Sequence, residues 1–209
     1  MNKRLIVCGG GERSGSTWQY NAVRALHGAG VYGAWIDDYE PGRAEAVHVI
    51  KAHTPTATAN LPADVILTAY RDLRDVVGSM MRMEWLDLAD VAAIDAFLDR
   101  YLTAQEAWRQ RAAYIMKYED MVAQPRAELA RLAVALDISL TANALDAALD
   151  MVSAIKPAEA TPAGATTRYD PETLLHAGHL SDGPRQLDDM LRTRIELRHE
   201  GWLRSNGYL

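Results

Sequence analysis

The chain has 209 residues, 49% of them hydrophobic, a formal net charge of −6 and one cysteine. That length and apolar content predict a single domain over 1–209 with a full core and exclude a disordered chain. The acidic balance argues against a nucleic-acid partner, and the lone Cys8 permits no disulfide within the chain.

Residues 4–8, Arg-Leu-Ile-Val-Cys, form an apolar run that suits a buried strand. The run is shorter than the roughly 7–15 residues of a signal-peptide core. No stretch approaches the roughly 20 apolar residues of a membrane span. The chain therefore reads as cytoplasmic, with no membrane partner.

Residues 9–18 follow as GGGERSGSTW, and a helix is expected over 19–28, where Val23 and Leu26 sit at helical spacing. Strand, glycine-rich loop and helix together cradle phosphate. Backbone N–H groups converge in the loop and the helix N-terminus adds its dipole. Gly10-x-x-x-x-Gly15-Ser16-Thr17 departs from the nucleoside-triphosphate pattern at Ser16, where that pattern has Lys. The cation is instead Arg13, inside the loop. That shift points to a phosphate-type group other than a Mg-bound triphosphate.

Further strands are expected at 31–36, ending in Asp37-Asp38, then at 47–53, 65–70 and 114–118. Helices are expected over 72–84, 90–113, about 120–136, 141–155 with Thr141 as its cap, and 192–203. Residues 156–171 are rich in Ala, Thr and Pro and exceed an ordinary connector, which suggests a lid. Strands alternating with helices after a phosphate loop predict an α/β fold. Its expected form is three-layer α/β/α, with a mostly parallel central sheet and a P-loop-like phosphate-binding loop.

Two more segments carry chemistry. Arg71 sits at the carboxyl end of the fourth strand, with Ser79 about two helical turns on; ligands of open α/β sheets bind at such strand ends. Lys51 and His53 are two apart in the third strand, so they share a face at its carboxyl end. A cation beside a potential general base suits group transfer to a hydroxyl.

Together these segments resemble the sulfotransferases that use 3′-phosphoadenosine 5′-phosphosulfate (PAPS). That family's first loop reads like PKSGTTW, here ERSGSTW. Its RNPKDVAVS segment is RDLRDVVGS here, keeping the Arg and Ser eight apart, and its KTHLP stretch is KAHTP. KYEDM and the ending SDGPRQL … GWLRSNGYL extend the likeness over most of the chain. There are departures: Arg13 replaces the loop Lys, Glu12 stands where the family has Pro, and the dimerisation motif KxxxTVxxxE has no clear match. The later RKGxxGDWK segment is only loosely echoed over 179–187.

The resemblance implies that Arg13, Ser14, Gly15, Ser16 and Thr17 hold the 5′-phosphosulfate, with Trp18 against the adenine or in the core. Arg71 and Ser79 would hold the 3′-phosphate, and Arg185 would add a further contact. His53 would take the acceptor proton, and Lys51 would steady the developing charge, with the product adenosine 3′,5′-bisphosphate. The acceptor would be a hydroxyl of a small molecule. A sulfuryl group carries less charge than a phosphoryl group, so no metal is expected. Asp37 and Asp38 stay open as alternative bases. Two rivals also stay open: a P-loop kinase using Asp37, Asp38 or Asp120 on Mg²⁺, and a nucleotide-binding module without catalysis.

Overall fold

The computed structural model describes residues 3–87, 89–156, 170, 172–175 and 187–209. The apolar runs become five strands: β1 (Arg4–Gly9), β2 (Val31–Trp35), β3 (Val47–Ala52), β4 (Val65–Tyr70) and β5 (Tyr114–Lys117). The helices are α1 (Ser16–His27), α2 (Leu73–Arg82), α3 (Val91–Arg109), α4 (Tyr118–Ala123), α5 (Pro125–Ala135), α6 (Ala142–Ala154), α7 (Asp189–Arg198) and α8 (Glu200–Ser205).

The sheet order is β2-β3-β1-β4-β5, and every pairing among the described residues is parallel. Alternate side chains of β1 therefore meet different layers. Ile6 and Cys8 pack with Val23 of α1, Leu129 and Leu132 of α5 and Leu145 of α6. Val7 packs on the opposite face with Trp108 of α3. Further out on that side, Leu73, Val76 and Met80 of α2 join Ile94 and Leu98 of α3, Leu191 and Ile195 of α7 and Leu203 of α8. Helices cover both faces, which gives the three expected layers. Burying each such side chain contributes about 1.5–3 kcal/mol.

From β1 the chain runs out to β2 at the sheet edge, returns to β3 beside β1, then crosses to β4 on the other side of β1. The reversal falls beside the carboxyl end of β1, where the glycine loop lies. A crevice opens at such a switch point.

Several boundaries differ from the expected ones. Helix α1 starts at Ser16 rather than 19, because Gly15, with φ 95°, turns the chain from loop into helix. Ser16, Thr17 and Trp18 thus form its first turn. The single helix expected over 120–136 is two, α4 and α5. Pro125 lacks an N–H and opens a new helix, which forces Gln124 out of helical geometry at φ −141° and ψ 61°. The last helix is likewise broken at His199, with φ −118° and ψ 23°.

Among the described residues, Glu172 and Thr173 are tied to α1. The Tyr20 hydroxyl donates to the Glu172 carbonyl at 3.2 Å, and Asn21 Nδ2 donates to the Thr173 carbonyl at 2.7 Å. The expected lid lies outside the described residues over 157–169 and 171, as do 176–186 with Arg185. No helix among the described residues is long and apolar enough to cross a membrane.

Candidate active site

The loop between β1 and α1 is shaped by aromatic rings beneath it. A Cβ at Gly9 would meet Trp108 at 2.6 Å, and one at Gly11 would meet Tyr101 at 2.3 Å. Only a bare backbone fits between these α3 side chains and the crevice. At the N-terminus of α1 no side chain caps the first turn and no acidic residue sits in it. The first-turn N–H groups and the positive end of the helix dipole thus lack a counter-group among the described residues. Ser14, Ser16 and Thr17 are buried there, and the Ser14 hydroxyl is buried without a hydrogen-bond partner among the described residues.

Three guanidinium groups converge next to the loop. Arg13, at φ 62°, sends its side chain across to α2, where Nε donates to Ser79 Oγ at 2.7 Å. Arg82 Nη2 reaches the same oxygen at 3.4 Å. Arg71 lies 4.0 Å over the Tyr118 ring, and its nearest carboxylate, on Asp75, is 3.5 Å away. Arg13 Nη1 and Arg71 Nε are buried with no hydrogen-bond partner among the described residues. Burial, with Arg82 and Arg71 close by, pushes the Arg13 pKa down to about 10. Like charges gathered out of water, with orphaned donors, fit an anionic ligand. Arg13 therefore joins the Arg71–Ser79 segment, whereas the sequence assigned it to its own loop.

Lys51 and His53 lie beside this cluster. Lys51 is buried at the end of β3, in register with Cys8 of β1 and Trp35 of β2. Burial, reinforced by Arg13, lowers its pKa to about 7. The His53 Nδ1 lies 2.8 Å from the Gly10 carbonyl oxygen. A carbonyl can only accept, so Nδ1 carries the proton and Nε2 keeps the lone pair. No described residue bonds to Nε2. The Trp108 indole donates to the His53 carbonyl at 3.0 Å and fixes the backbone. Burial first, then Lys51, pushes the His53 pKa down to about 3.

Trp18 packs against Ala69 and Met116 at the edge of the core. The aspartates weighed as metal ligands do not meet. Asp37 and Asp38 follow β2 at one sheet edge and Asp120 follows β5 at the other, four strand spacings or about 19 Å apart. Sequence reasoning missed Arg82, Tyr118 and Trp35. Arg82 was accessible, since it lies one helical turn after Ser79 and shares its face. Trp35 needed the strand order, which alone sets it beside Lys51.

The sequence matches no family model and no curated protein. Solved structures do match. The mouse sulfotransferase SULT7A1 complexed with PAP aligns at a TM-score of 0.66 and 14% identity, over 98% of this chain and 86% of that one. Retinol dehydratase in a complex with retinol and PAP aligns at 0.54 and 16% identity, over 99% and 82%. Retinol dehydratase with androsterone and inactive cofactor PAP aligns at 0.52 and 15%, over 73% and 65%. The chain has the sulfotransferase fold.

Proposed function

We propose that this protein transfers a sulfuryl group from PAPS to a hydroxyl of a small-molecule acceptor. The observation that carries the proposal is the meeting of a lone-pair imidazole, a buried lysine and an uncapped phosphate loop beside three arginines. The fold supports it, as do the neighbours whose structures hold PAP.

When bound, PAPS supplies the activated sulfuryl group on a phosphate leaving group. The residues present fit it. Loop amides over 14–17 and the α1 N-terminus would receive the 5′ end. Arg71, Ser79, Arg13 and Arg82 would receive the 3′-phosphate, where the orphaned N–H groups lie. Lys51 would hold charge on the departing oxygen in a site that excludes water. His53 Nε2 would draw the proton from the acceptor hydroxyl, with Nδ1 anchored on Gly10 to keep the ring aligned. The low basicity of His53 reflects burial and the nearby Lys51 and Arg13. Anions beside Lys51 and Arg13 would return it toward its ordinary value.

Separate calorimetric titrations of PAPS, ATP and adenosine 3′,5′-bisphosphate test this reading. Tight binding of the two 3′-phosphorylated nucleotides and weak binding of ATP is expected. Preference for ATP with Mg²⁺ would turn the assignment to a kinase.

A further inference from the structure

Trp35 has no part in the roles above. It ends β2 directly in register with Lys51. The Lys51 ammonium lies over its ring, 5.3 Å from the centroid. The His53 ring centroid lies 4.9 Å from the same indole, with the planes at 69°. The indole Nε1 donates to Asp37 Oδ2 at 3.0 Å. One ring therefore touches both the cation and the candidate base, and a carboxylate two residues on tethers that ring.

We propose that Trp35, tethered by Asp37, is the positioning residue of this site: its indole holds the Lys51 ammonium and the His53 imidazole side by side and favours the charged lysine. The consequence for turnover rests on the sulfuryl-transfer reading, but the positioning itself does not. An aromatic face is the negative end of a quadrupole, so it attracts an ammonium and leaves a neutral amine indifferent. The other groups facing Lys51 are Arg13 and Glu12 from the loop, Cys8 from β1 and His53 on its own segment. Arg13 opposes the charge, and the ring answers it from the β2 side. Asp37 then acts through the indole and not as the base that the sequence left open.

The reactivity of the Lys51 amine toward an acylating reagent tests this. Read by mass spectrometry across the neutral and alkaline range, it gives the lysine's titration midpoint in ligand-free protein, without turnover. Trp35→Leu should lower that midpoint by roughly 0.4–1.5 pH units. Trp35→Phe, which keeps a ring face, should recover most of the loss. Asp37→Ala should lower the midpoint in the wild-type background and do nothing in Trp35→Phe, whose ring has no N–H to hold. An unchanged midpoint in Trp35→Leu overturns the proposal, as does an Asp37→Ala effect that persists in Trp35→Phe. If Trp35→Leu does not fold, the Asp37→Ala and Trp35→Phe cycle decides alone. Adenosine 3′,5′-bisphosphate titrated into wild type reports on the function separately. Failure there sinks sulfuryl transfer while the midpoints still judge the positioning role.

Discussion

Nucleotide binding should draw a proton onto Lys51. In the free protein its pKa is lowered from 10.5 to about 7 by burial and by Arg13. At pH 8 such a group is only about 10% protonated. A bound nucleotide brings negative charge to the cation cluster and restores the lysine toward its ordinary value, so binding at pH 8 takes up about 0.9 proton. Other groups stay silent at that pH. Arg13, near 10, is charged in both states. His53, near 3 when free, is neutral and remains mostly so even if restored to 6.5. The ligand's phosphates, with second pKa values of about 6, are already dianionic. The sign follows: affinity is greatest below pH 7 and falls as pH rises between 7 and 10.5. Near pH 8 the fall is about eightfold per unit. Calorimetry of adenosine 3′,5′-bisphosphate in two buffers of different ionisation heat measures the uptake. Lys51→Arg should abolish it while keeping the cation. Measurable wild-type binding with no proton uptake at pH 8 would refute the reasoning.

Arg71→Ala should cost about 1.5–3 kcal/mol for adenosine 3′,5′-bisphosphate and much less for adenosine 5′-phosphate, because the charged hydrogen bonds go to the extra phosphate; equal losses in calorimetry would contradict that placement. His53→Ala should lower kcat by roughly 10²–10⁴-fold with nucleotide affinity little changed. Near-normal turnover there, with collapse in Asp37→Ala or Asp38→Ala, would move the base to a carboxylate. Gly11→Ala should destabilise the fold by about 1–3 kcal/mol and weaken nucleotide binding, since the new methyl would enter the Tyr101 ring; a melt matching wild type would count against the packing argument. Turnover should persist in excess EDTA, because Arg13, Lys51, Arg71 and the loop amides meet the anion; loss on chelation with rescue by Mg²⁺ would favour the kinase.

The central strands β1 and β4 were legible as near-continuous apolar runs, as parallel strands covered on both faces are. The two-residue period put Lys51 and His53 on one face of a strand over 47–53, whereas β3 ends at Ala52 and His53 lies in the bend that follows. Helix ends were less legible. The break at Gln124 was signalled by Pro125, whereas the break at His199 has no comparable breaker beside it. What the sequence hid were contacts between distant segments. Arg13 bonding to Ser79 spans 66 residues, and the seat of His53 on Gly10 spans 43. Neither follows from periodicity. The same holds for the pKa of His53, which depends on burial beside Lys51 and Arg13 and not on the residue type.

The central claim is sulfuryl transfer, and product balance tests it most directly. The protein is incubated with PAPS and a panel of alcohols, phenols and sugars, and both products are followed by mass spectrometry. The account predicts an acceptor that gains the mass of one sulfonate for each adenosine 3′,5′-bisphosphate released, with turnover lost in Lys51→Ala. Tight nucleotide binding with no sulfonated product across the panel, or a phosphate gain from ATP instead, would contradict it.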